Sequence, residues 1–215
     1  MKRLFVGLLC AAAMLSQAAE RAIEKHVVVR ATLDEAWAAW TTREGITSFF
    51  APDALIQARV GGPFQIYIDP GAQPGLKGAD DMRFLALQPK KMLSFDWNAP
   101  PSLPAARAQR TFVVVRFAPV DDHTTRVTLH HSGWGDGGEW DQAYSYFDRS
   151  WGAVLDNLKK RFEQGPQDWA PWLKQLEAWR AQQAAQAAQA AQRAASQAAR
   201  QEGLNENNMP PGTLV

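Results

Sequence analysis

The stretch WDQAYSYFDRSWGAVLDNLKKRF, residues 140–162, decides the fold. Trp140, Tyr144, Phe147, Trp151, Leu155, Leu158 and Phe162 recur at steps of three and four, which stacks them on one face of an α-helix. Glu139, Asp141, Asp148, Asp156 and Lys159 fall largely off that face. Gly165-Pro166 supplies the stop, since glycine turns left-handed without strain and proline cannot continue a helix. One helix this rich in rings must lie against a large apolar surface.

The upstream chain offers that surface as strands. Ile23 to Ala31 reads as the first, and Thr32 or Asp34 can cap the helix that follows. Leu33, Ala36, Trp37 and Trp40 give that helix one buried face. Gly45 is expected to end it, with a short second helix to Phe50, stopped by Pro52. Further strands are expected over Leu55 to Val60, Phe64 to Ile68, Asp80 to Leu87, Met92 to Trp97, Arg110 to Phe117 and Thr125 to His131. A proline-rich loop spans Ala99 to Pro104. Alternation assigns Phe64, Ile66, Ile68, Leu93, Phe95, Trp97, Val113, Val115, Phe117, Val127, Leu129 and His131 to the inner side. Gln65, Ser94, Asp96, Arg110, Arg116, Arg126 and Thr128 take the outer side, where Phe112 and Val114 break the contrast.

Short strands with tight links make an antiparallel meander, so the fold class is α+β: a curved sheet wrapped around a long C-terminal helix. A sheet that bends away from a helix leaves room between them, and apolar cavities with a few polar groups are ordinary small-molecule sites. Phe64, Ile66, Trp97, His131, Trp134, Tyr144, Phe147 and Trp151 are the candidate lining. The same aromatic density also suits a filled core.

Several segments, taken in order, resemble a known family. They are Ala31-Thr32-Leu33-Asp34-Glu35-Ala36-Trp37, Gly45-Ile46 to Phe50-Ala51-Pro52, Val60-Gly61-Gly62-Pro63-Phe64 and Leu93-Ser94-Phe95-Asp96-Trp97-Asn98-Ala99-Pro100-Pro101. Thr125-Arg126-Val127-Thr128-Leu129 to Gly133-Trp134 and Trp151 to Leu158 complete the set. From about Ala22 to Trp169 the chain resembles the SRPBCC (START-like) proteins of the group named after the activator of the heat-shock-protein-90 ATPase. The resemblance implies a helix-grip fold and binding of a hydrophobic or amphipathic small molecule, with enzymatic activity acquired in some members. A shared fold does not carry a chaperone role across by itself.

Both ends differ from the middle. Lys2 and Arg3, the uncharged apolar run Leu4 to Leu15, and Ser16-Gln17-Ala18 form the three-part pattern of a secretory signal, so residues 1–18 are expected to be removed and the protein exported, to the periplasm or beyond. The run is shorter than the ~20 apolar residues of a permanent span, so no stable membrane span is expected after cleavage. Leu9 before Cys10 is bulky, which argues against lipidation. Cys10 is the one cysteine, so the mature chain would hold neither disulfide nor thiolate. With 23 basic and 22 acidic residues there is no field to attract nucleic acid. The helix-grip domain is expected over residues 22–165, and residues 166–202 form a helical tail. Trp169, Trp172 and Trp179 lead into it, and Ala181 to Arg200 is nearly all Ala, Gln and Arg. These tryptophans either dock the tail or form a stripe for a protein partner or self-association. Residues 203–215 are expected to be disordered.

No catalytic constellation emerges, and no cofactor is implied. His130 and His131 point to opposite faces of a strand and cannot share an ion, and His26 and His123 stand in separate elements, so no metal is expected. Ser132, Ser145 and Ser150 lack a base and an orienting group. The Gly133 to Gly138 run lacks the Lys-Ser/Thr ending of a phosphate loop. It reads as a turn into the long helix, or as a gate at the cavity mouth with Trp134 as its lid. His131 reads as a satisfied core histidine or a ligand contact. Arg83 and Arg107 are either solvated or available to an acidic ligand group.

Overall fold

The structure is a computed structural model that describes residues 20–207, with side chains through Gln201. The expected leader, with Cys10, and residues 208–215 lie outside the described residues.

Strand β1 (Ile23–Val29) leads into α1 (Leu33–Thr41) through a capping box. The Glu35 N–H donates to Thr32 Oγ1, and the Thr32 N–H donates to the Glu35 carboxylate at 2.8 Å, so two otherwise unpaired donors are satisfied at once. Gly45 does not end this helix. Helix α1 stops at Thr41 because Thr42 adopts extended backbone, and the Thr42 hydroxyl caps α2 (Arg43–Thr47) by accepting from the Gly45 N–H at 2.9 Å. Gly45 sits inside α2 for a steric reason: a Cβ there would run into the Ala38 carbonyl oxygen of α1.

Strands β2 (Asp53–Ile56), β3 (Phe64–Tyr67) and β4 (Gly78–Ala79) form a small antiparallel sheet. β5 (Phe84–Gln88), β6 (Met92–Trp97), β7 (Thr111–Pro119) and β8 (Thr125–Ser132) join β1 in a five-stranded one, in the order β1-β8-β7-β6-β5. The strands expected from Leu55 and from Asp80 shift to Asp53 and Phe84. The proline-rich loop runs into a helical turn, α3 (Pro104–Arg107), with Pro104 at its first position, where a missing N–H costs nothing. The two sheets are stitched together: the Phe64 N–H donates to the Met82 carbonyl at 2.8 Å and the Phe84 N–H to the Gly62 carbonyl at 2.9 Å. An irregularity between Phe84 and Ala86 disrupts the register there, as a bulge does when it bends a strand.

Register aligns the inner side into rows. Phe95, Val113, His131 and Ile23 form one row across the sheet, and all four are buried. In the next row, Leu93, Val115 and Leu129 are followed by Lys25, whose ammonium reaches Asp148 at 2.7 Å on the covering helix. Phe112 stays on the outer side, 48% exposed. Ile68 lies past the end of β3 and is partly exposed, so it is not an inner strand residue.

Helix α4 (Gly138–Gln164) covers the inner side with Ala143, Phe147, Trp151, Leu155 and Leu158 buried. Its central contacts are ring on ring: Trp97 to Trp151 at 5.4 Å, Phe50 to Trp151 at 5.7 Å and Phe147 to Trp151 at 6.2 Å between centroids. Such pairs add about 0.5–1.5 kcal/mol each beyond burial of their area. The middle of the grip is therefore packed with rings, and any cavity must lie toward an end.

Helix α5 (Ala170–Asn207) is pinned only at its start. The Trp169 indole N–H donates to the Thr47 carbonyl at 2.6 Å and that of Trp172 to the Ile68 carbonyl at 3.2 Å. Arg180 pairs with Asp69 at 3.2 Å. Trp169 precedes the helix and Trp179 is 56% exposed, so the three tryptophans do not act as one docking stripe. Ala181 to Gln201 is exposed throughout. The helix runs through Gly203 to Asn207.

Candidate ligand cavity

An apolar cavity of about 200 Å³ lies at one end of the grip, beside α4. One wall comes from the β3–β4 arm: Ile68, Asp69, Leu76, Lys77, Gly78 and Ala79. A second comes from the end of β6 and the turn after it, Trp97 to Pro101, and the third from Tyr146 and Phe147 of α4.

Both loop walls are held by one side chain. The Arg107 guanidinium donates to the Gly75 and Gly78 carbonyls at 2.6 and 2.9 Å, and to the Ala99 carbonyl at 2.5 Å. In the amide orientation this guanidinium requires, Asn98 Oδ1 also accepts from it, at 3.1 and 3.3 Å. Asp80 works from beneath, accepting from the Gly75 and Gly78 N–H groups at 3.0 and 3.1 Å. Arg107 is thus neither solvated nor free for a ligand. It is a positioning residue that ties the β4 arm to the Asn98–Pro101 turn. Arg83 is likewise engaged within the protein, donating to the Gly61 carbonyl at 3.1 Å.

Of the candidate lining residues, Trp97 and Phe147 face the cavity. The other six do not line it. Phe64 and Ile66 are wholly buried, with Phe64 stacked on Phe95 at 4.0 Å. Trp151 is enclosed among rings. Tyr144 donates its hydroxyl to the Ala22 carbonyl at 3.0 Å. Trp134 is no lid: its indole N–H donates to the His131 carbonyl at 3.0 Å, its ring packs 4.1 Å from the imidazole, and neither it nor the glycines around it line the cavity. On the arm after β3 the cavity is open to solvent at Ile68 and Leu76, 38% and 51% exposed, and the Pro70-Gly71 and Pro74-Gly75 pairs there are turn signals with no periodicity to mark them as a wall.

His131 is 0% exposed and both ring nitrogens are used. The Trp151 indole N–H donates to Nδ1 at 2.8 Å, so the proton sits on Nε2, which donates to Thr111 Oγ1 at 2.7 Å. Thr111 passes its own hydroxyl hydrogen to the Trp97 carbonyl at 3.3 Å. Burial, with a smaller contribution from neighbouring His130, pushes the His131 pKa down to about 3. This imidazole is a neutral brace between sheet and helix. Trp97, by contrast, leaves its own indole N–H without a partner among the described residues, as does Trp40 in the core.

No group of three His, Cys, Asp or Glu side chains converges as a metal site among the described residues. No described helix is long and apolar enough to cross a membrane.

A bent antiparallel layer closed on a long C-terminal helix, with an apolar cavity at one end, defines the SRPBCC, or helix-grip, class, a fold that commonly holds hydrophobic ligands or acts in protein interaction. More narrowly, the chain belongs to the Activator of Hsp90 ATPase homolog 1-like protein family, which matches residues 30–163. Among solved structures it is similar to protein MLL2253 from Mesorhizobium loti, at 22% identity and TM-score 0.55 over 68% of this chain and 100% of that one. It is similar to the Aha1 dimer from Colwellia psychrerythraea at 20% identity and TM-score 0.51, covering 67% and 98%. CalU16 from Micromonospora echinospora gives 22% and 0.50, covering 75% and 88%. These likenesses concern the fold alone. No curated protein matches the chain.

Proposed function

We propose that the protein is an exported binding module for a compact hydrophobic or amphipathic small molecule, held in the cavity between the β3–β4 arm, the Asn98–Pro101 turn and α4. The observation that carries this reading is the cavity itself: about 200 Å³, walled by Trp97, Phe147, Ile68 and Leu76, with both loop walls fixed by Arg107. Fixed walls lower the ordering cost of binding. Drug-sized sites run to about 300–1,000 Å³, so this one suits one or two rings or a short alkyl chain. Export rests on the charged, apolar and small-residue sequence of positions 2–18.

The test is a thermal-shift panel of small amphiphiles with a native mass spectrum of gently purified protein. A ligand at a hundredfold excess over its Kd is expected to raise the melting temperature by roughly 5–10 °C. Ile68→Trp, at the partly exposed mouth, is expected to abolish the shift without unfolding the domain. A panel without effect, together with spectra free of bound mass, overturns the reading.

A second reading, an interaction protein acting through its C-terminal helix, is supported by the exposure of Trp179 and of Ala181 to Gln201. An apolar ring next to a long uncovered helix is a surface another chain can cover.

A further inference from the structure

We infer that the cavity takes its ligand as an anion, an aromatic or short-chain carboxylate whose body enters between Trp97 and Phe147 while its charge stays at the mouth with Lys77. This rests on the binding reading above and adds the chemical class of the ligand.

The charged side chains along the cavity are Asp69 and Lys77. Asp69 is already spoken for. Its carboxylate accepts from Arg180 at 3.2 Å and from the Gly71 N–H at 3.1 Å. Lys77 makes no ion pair among the described residues; its ammonium lies 5.2 Å from the centre of the Tyr67 ring. That contact holds the cation in place without neutralising it. With Asp69 held by Arg180, Lys77 is the charged lining residue without an ion-pair partner among the described residues. The buried part of the lining offers the opposite character: Ala79, Ala99 and the rings of Trp97 and Phe147. An anion with its charge inside would lose its hydration without compensation. An anion with its charge at the mouth keeps that hydration, gains a charge-assisted hydrogen bond and buries only its apolar part. An amine of the same shape meets a like charge instead.

Titration calorimetry on the full folded chain distinguishes these cases with three probes of one body: 1-naphthoic acid, 1-naphthylmethanol and 1-naphthylmethylamine. The acid is expected to bind about tenfold more tightly than the alcohol, the amine most weakly. Lys77→Gln is expected to bring the acid-to-alcohol ratio close to one, whereas Lys77→Arg and the remote Lys91→Gln retain it. Equal affinities for acid and alcohol, or a preference that survives Lys77→Gln, overturn the inference and leave the binding reading standing. Failure of all three probes to bind overturns both.

Discussion

His131 shows how a single side chain can be legible in direction and illegible in role. Strand alternation sends it inward and His130 outward, and His130 indeed meets Glu24 at 3.1 Å on the outer side. Which groups await it inside depends on where α4 sets Trp151, and that is a matter of packing. The energetic sign follows from its environment. Unfolded, the imidazole titrates near 6.5; folded, near 3. Between those values the unfolded chain holds the extra proton, so the contribution is complete above pH 6.5 and declines as the pH falls, by about 1.4 kcal/mol per unit. Urea midpoints at pH 7, 6, 5 and 4 are expected to show that added slope in the wild type and its loss in His131→Gln, with the titration of carboxylates common to both. A wild-type slope no steeper than the variant's would mean that protons reach the imidazole in the folded state.

At the scale of elements, Gly45 sets propensity against packing. An exposed helical glycine replaced by alanine gains about 1 kcal/mol. Here a methyl group would collide with the Ala38 carbonyl, and overpacking costs about 1–3 kcal/mol. Gly45→Ala is therefore expected to lower the denaturation midpoint, and a rise would show that α2 can slide off α1 freely. The same contrast explains what sequence could reveal. Long periodic pieces were readable: the face of α4 and the alternation of β6 to β8. The cap was readable only as Thr32 or Asp34, and its Glu35 partner was not. Gly45 looked like a terminator because the close approach of two helices leaves no trace in either one. Trp97 and Phe147, which border the cavity, were legible as inward-facing because each lies on a periodic face. Lys77, Asn98 and the Arg107 clamp were missed because they belong to loops and a single turn, where tertiary hydrogen bonds alone decide position. Strand β4, only Gly78–Ala79, exists by pairing with β3 and has no pattern of its own.

The molecule as a whole consists of a gripped core and an arm. Helix α5 touches the core through its first turns and Arg180, then leaves it. Deleting residues 182–215 is expected to leave the melting temperature of the domain unchanged, while the double change Trp169→Ala and Trp172→Ala lowers it. Sedimentation of the truncated chain separates the two functional readings: lost self-association with intact ligand-induced stabilisation assigns partner binding to the arm and small-molecule binding to the core. The arm also governs how the protein moves through water. At 1.5 Å rise per residue, its unsupported part extends about 40 Å beyond Arg180. A slender projection adds friction out of proportion to its mass. The monomer should migrate in gel filtration as a heavier sphere and tumble faster about the arm's axis than end over end.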